Sequence, residues 1–242
     1  VTTPGQDATL EKVRKLLTKA EAEGVTPQEA EALTGKAAEL MAKYGIDRAL
    51  LAATRPETDK PGDRIIDIEN PWARVQAHLL CGLAAAMRCQ AVMLPTTSGG
   101  SRIHLFGFQS DLERVDVLHT SILLQMFNGL RHAEVPAWSR SVRAYRRSWL
   151  LGFASTVIAR VKDAERSAVS EAPAPAAGGK TAVVAIADRN LVIGANLKAA
   201  YPKTRSTRVT YSGSGYSQGS AAGQRANIGG ASVGRGTRGA LH

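Results

Sequence analysis

Apolar residues recur at helical spacing from the start of the chain. Leu10, Val13, Leu16, Leu17 and Ala20 fall on one face of a first helix, with Gly24 placed as its C-terminal cap. A second helix follows, with Thr26 as N-cap, Pro27 at the first helical position and Glu29 where a capping-box carboxylate reaches back. Leu33, Ala37, Leu40, Met41 and Tyr44 form its apolar stripe. Gly45 is expected to end it, and Asp47 to start a short third helix through Leu51. Residues 1–53 thus read as a helical module, and residues 54–71, rich in proline, glycine and charge, as a linker.

The pattern changes after Asn70 and Pro71, which open a helix with Trp72, Val75, Leu79, Leu83 and Met87 on one side. RCQAVML and RIHLFGF, separated by PTTSGGS, read as an antiparallel hairpin. Ser110 and Glu113 suggest another capping box, launching a helix through about Leu130 with Leu112, Val115, Leu118, Ile122 and Met126 inward. The longest helix is expected from just after Pro136 to roughly Ser170, burying Trp138, Val142, Tyr145, Trp149, Phe153, Val157 and Val161. After the small-residue linker APAPAAGGK, the run Thr181 to Ala187 is the best remaining strand, a third for the hairpin, which is marginal alone. The expected fold class is α+β: a helical N-terminal module, a body over 72–197 in which a small antiparallel sheet packs with long helices, and a basic glycine-rich segment over 198–242.

The stretch VRKLLTKAEAEGVTPQEAEALTGKAAELMAKYGID, Val13 to Asp47, resembles the N-terminal domain of a family known only as a domain of unknown function, DUF2786-like, common in actinomycetes and found in phages. LFGFQSDLERVDVLHTSILLQ and RRSWLLGFA resemble the adjoining region of that family's longer members. The resemblance names no activity and carries over no catalytic residue.

Composition narrows the classes. No apolar run reaches the roughly 18 to 20 residues that span a bilayer, and the N-terminus lacks a signal-peptide pattern, so a soluble, cytoplasmic protein is expected, without a membrane partner. Cys81 and Cys89 are too few for a disulfide framework and fit a reduced compartment. The chain carries 31 Lys and Arg against 21 Asp and Glu, a net charge of +10. After Asp188 there is no carboxylate, while Arg189, Lys198, Lys203, Arg205, Arg208, Arg225, Arg235 and Arg238 follow. A single-sign block calls for a polyanion, or else is a solvated tail.

Arg140, Arg143 and Arg147 share a face at spacings of three and four, with Arg146 beside them and no acid between Glu134 and Asp163. Guanidinium groups match phosphates in a two-pronged geometry. Gly215, Gly219 and Gly223, spaced by four, would give a helix a smooth edge for close packing, with the protein's own long helix as the simplest partner. The expected function is non-enzymatic nucleic-acid binding, structured RNA or a ribonucleoprotein ahead of duplex DNA. Phosphate contacts would come from Arg140, Arg143, Arg146, Arg147, Arg205, Arg208, Arg225, Arg235 and Arg238. The first alternative is a structural or assembly protein, of a phage-derived particle or a homo-oligomer.

The second alternative is a metal-dependent phosphodiesterase combining Asp111 or Asp116 with His104 and Asp188. It is weak, because Asp111, Glu113 and Asp116 are explained by the helix dipole. His78, His104, His119, His132 and His242 show no ligand spacing, and no cofactor, metal or catalytic residue is implied. GSGYSQG has neither the preceding strand nor the Lys-Ser or Lys-Thr of a phosphate-binding loop.

Overall fold

The computed structural model describes residues 4–20, 22, 27–97, 99–175, 179–205, 213–226 and 228. Among them are seven α-helices and three strands. Helices α1 (Pro4–Ala20) and α2 (Pro27–Thr54) pack together, burying Leu10, Val13 and Leu17 against Ala37 and Met41. The roles read for Gly24, Thr26 and the Glu29 side chain lie outside the described residues.

Gly45 does not end α2, which runs on through Asp47 to Thr54 without a third helix. Its glycine answers to packing. A β-carbon at Gly45 would run into the Arg114 guanidinium and come within 2.9 Å of Arg88 Nη1. Ile46 and Ala49 continue the buried stripe beyond it.

The sheet has the order β1-β3-β2, with both pairings antiparallel. Strands β2 (Gln90–Leu94) and β3 (Ser101–Phe108) form the expected hairpin. The third strand is β1 (Pro61–Ile68), inside the stretch read as a linker. Its alternation was masked by Pro61 and Gly62 at the start and by Arg64 on the inner face, while proline is tolerated at the first residue of an edge strand. Residues 182–187 instead open helix α6 (Ala182–Ala200), whose N-cap Thr181 accepts from the Val184 N–H at 3.3 Å. The β-branched run looks strand-like, but the buried positions are Ala182, Ala185, Arg189 and Ile193, a helical period.

Helix α3 (Ala73–Ala86) follows a cis Asn70–Pro71 bond and buries Val75, Leu79 and Leu83. Helix α4 (Gln109–Arg131) buries Leu112, Val115, Leu118, Ile122 and Met126 as expected. Its cap differs from the expected box. Ser110 lies within the first turn, and both its N–H (3.2 Å) and its hydroxyl (2.6 Å) donate to Asp59, so the capping carboxylate comes from the loop before β1.

Helix α5 (Val142–Ser170) starts later than expected, at N-cap Ser141. Tyr145, Trp149, Phe153, Val157 and Val161 are buried, whereas Val142 and Trp138 are exposed, Trp138 lying in the preceding turn. Helix α7 (Tyr216–Arg225) packs along α5. The main core joins α3, α4, α5 and the sheet face carrying Ile103 and Leu105. On the other face, Phe106 and Phe108 pack under Ile193 of α6.

Candidate nucleic-acid interface

Helix α5 is the scaffold of the candidate surface, and two arrangements fix it. The first is its contact with α7. Gly215, Gly219 and Gly223 lie against the backbones of Tyr145, Trp149 and Phe153, while Gly152 of α5 faces Tyr216 and Ser220. The three glycines thus occupy one close-packed edge against the protein's own helix. Polar contacts lock the register: Gly215 N–H donates to Ser148 Oγ at 2.9 Å, and the Thr156 and Ser220 hydroxyls meet at 2.8 Å. Arg160 then donates to the carbonyls of Gly223 (2.9 Å) and Ala226 (2.5 Å), a cation at the negative end of α7.

The second arrangement is a buried ionic hub. Arg114 bridges Asp111 at 3.0 Å and Glu165 of α5, and Arg88 holds Glu165 at 2.7 Å and Asp111 at 3.5 Å. Arg189 reaches Asp111 at 2.7 Å and Asp59 at 2.8 Å, with its guanidinium 3.7 Å from the Phe108 ring centroid. Arg48 of α2 lies 3.8 Å from Asp59 and donates to the Thr58 carbonyl. Burial pulls the Arg88 pKa down, with neighbouring Arg114 adding to the effect. Burial also acts against the charge of Arg114, but Glu165 and Asp111 outweigh it and raise its pKa.

This hub revises one reading and adds to another. Arg189 is neutralised inside it rather than joining the basic C-terminal block, and Asp111, in the first turn of α4 where the helix dipole favours its charge, is also buried as a member of the hub. Sequence reasoning missed Arg48, Arg88 and Arg114. One signal was available: Gly45 within a continuing apolar stripe, where the only gain from lacking a side chain is room for a neighbour.

With α5 so held, its N-terminal end faces solvent. Arg143 and Arg146 are exposed, Arg147 is half-buried, and Arg140 is exposed but lies ahead of the helix, not on it. Trp138 is 69% exposed in the same turn region. Beside this end, a groove of about 430 Å³ between α4, α5 and α7 is lined by His132, Glu134, Tyr145, Trp149, Gln218 and Arg225. Arg225 therefore joins the α5 side of the molecule. Arg205 is exposed and follows the end of α6. Arg208, Arg235 and Arg238 lie outside the described residues, as does His242.

The carboxylates considered for a metal site are dispersed. Asp111 belongs to the hub, Asp116 pairs with Arg64, and Asp188 holds Lys180 at 2.5 Å. His104 is occupied on both nitrogens, by Asp63 Oδ2 at 2.7 Å and the Tyr201 hydroxyl at 2.8 Å, which ties the end of α6 to β1. Among the described residues no group of three or more His, Cys, Asp or Glu is arranged to hold a metal ion, and no helix is long and apolar enough to cross a membrane.

Neither the curated proteins nor the solved structures compared with the chain gave a match. A family model does match, over residues 8–48, which span most of α1 and α2 and end at Arg48, the residue that joins this helix pair to the hub. Within the N-terminal helix pair, residues 8–48 match the model of the family described as protein of unknown function (DUF2786).

Proposed function

We propose that the protein binds nucleic acid without catalysing a reaction on it, taking RNA with unpaired bases, alone or in a ribonucleoprotein, ahead of duplex DNA. The observation that carries this reading is Trp138: an indole 69% exposed in the turn that leads, through the exposed Arg140, into the start of α5 with its exposed Arg143 and Arg146. Such an indole costs free energy in water and is a stacking platform for a base, worth roughly 1–3 kcal/mol per base. The arginines beside it supply phosphate contacts, and the start of α5 adds its positive dipole end. Preference for unpaired bases over a duplex follows from the indole, since bases inside a duplex present no free face.

Arg225 at the adjoining groove extends the same surface. The free thiols Cys81 and Cys89 fit a reducing compartment, and we place the protein in the cytoplasm. The test is titration of the purified chain against a hairpin RNA with an open loop, a single-stranded RNA and a duplex DNA, at two salt concentrations. Salt-sensitive binding, tighter for the RNAs and weakened by Trp138→Ala, supports the reading. Equal affinity for all three with no effect of Trp138→Ala removes the stacking role, and no binding at low salt removes the reading.

A further inference from the structure

Helix α6 buries one side against the sheet and α2 and leaves apolar side chains on the other. Leu191 is 74% exposed and Val184 46%, with Val183 and Val192 exposed on the flanks. Val184, Ala187, Leu191, Ala195 and Lys198 are all exposed and follow one another at spacings of three and four, so they form one row along the helix. Lone exposed apolar residues are ordinary; a row of them is a contact surface. It has too few cations for a phosphate chain and is separate from the arginines of α5.

We propose that this row is the self-association surface of the protein, with α6 pairing antiparallel with α6 of a second copy about a two-fold axis at Leu191. Charge selects the occupant and its direction. Lys198 sits in the last turn and Asp188 in the first half of α6. A parallel pair sets lysine over lysine and aspartate over aspartate. An antiparallel pair centred on Leu191, the midpoint of Ala182–Ala200, brings Asp188 of each copy, which already holds its own Lys180 at 2.5 Å, within four residues of Lys198 of the other, about 6 Å along the axis, so that one carboxylate is shared by two cations. It also opposes the helix dipoles. Ala187 and Ala195 then face each other, and their small side chains allow the two helices to approach until the leucines meet. The interface is isologous, so it closes at two copies.

The experiment uses the full chain. Mass in solution is followed over a wide range of protein concentration for the wild type and for Leu191→Glu, whose side chain is exposed and outside the core. The wild type is expected to reach twice the monomer mass and Leu191→Glu to remain monomeric, with unchanged circular dichroism. Mild oxidation of Leu191→Cys is expected to yield a covalent dimer, because a residue on the axis meets itself. Val183→Cys, about 24 Å from its own copy, is expected to yield none beyond the wild-type background. A wild type monomeric at every concentration, a dimer unaffected by Leu191→Glu, or cross-linking as strong at 183 as at 191 overturns the proposal. So does a monomeric chain whose Leu191→Glu variant loses binding to anionic lipid vesicles.

Discussion

Gly219 lies so close to the carbonyl of Trp149 that a β-carbon at position 219 would overlap it. The atoms in the way belong to the backbone of α5, so they cannot swing aside. Replacing Gly219 by alanine gains roughly 1 kcal/mol of helix propensity but costs about 1–3 kcal/mol in overpacking, and here a whole helix must move. Gly219→Ala is therefore expected to lower the melting temperature, as is Gly152→Ala on the facing helix, while the exposed Ser217→Ala stays near neutral. A higher melting temperature for Gly219→Ala would show that α7 does not sit against α5.

The ionic hub makes a different prediction. Glu165 is the carboxylate shared by Arg88 and Arg114, and its loss leaves two aspartates among four buried guanidinium groups. Breaking a buried pair from one side costs about 3–5 kcal/mol. Glu165→Gln, which keeps the shape, is expected to lower the denaturant midpoint accordingly. Gly45→Ala should do so through the same residues, by displacing Arg114. Neutral behaviour of Glu165→Gln would mean that the hub is not closed to water.

Acid sensitivity follows from His119. Burial pushes its pKa down to about 4, and its buried Nε2 has no hydrogen-bond partner. The unfolded ring titrates near 6.5, so between these values the unfolded chain binds the extra proton and stability falls as pH drops. The full effect is about 3 kcal/mol. His78, lowered by burial and by Lys162, acts in the same direction. Melting at pH 7 and pH 4.5 is expected to show a smaller acid loss in His119→Gln than in the wild type; equal losses would contradict the assignment.

The two thiols should be slow to react. Burial pushes Cys81 up to about 11 and raises Cys89 as well. Alkylation at pH 8 is expected to be slow in the native chain and fast in denaturant, and rapid native labelling would contradict the burial.

What the sequence disclosed was periodicity. The stripes Leu112 to Met126 and Tyr145 to Val161 repeat often enough to define α4 and α5, and the three glycines at spacing four signalled a close helix contact. What it concealed was long-range pairing. β1 alternates only once Arg64 is allowed an inward position, and the run after Thr181 is β-branched yet helical because its buried positions repeat by three and four. Buried arginines leave little local trace beyond the room that Gly45 makes for Arg114, since Arg48, Arg88, Arg114 and Arg189 meet their acids only after folding. Trp138 was assigned to the core by spacing from Tyr145, but α5 begins beyond it, and its exposure alters the functional reading.

On the function we propose, the exposed end of α5 contacts phosphate. Its most direct test is the slope of log affinity against log salt for a single-stranded RNA, in the wild type and in the triple variant Arg140→Ala, Arg143→Ala, Arg146→Ala. Each lost contact removes about 0.7 from the slope, so the variant is predicted to be shallower by about 2, with an unchanged melting temperature because all three side chains are exposed. An identical slope in the two proteins would place the phosphate contacts elsewhere and contradict the account.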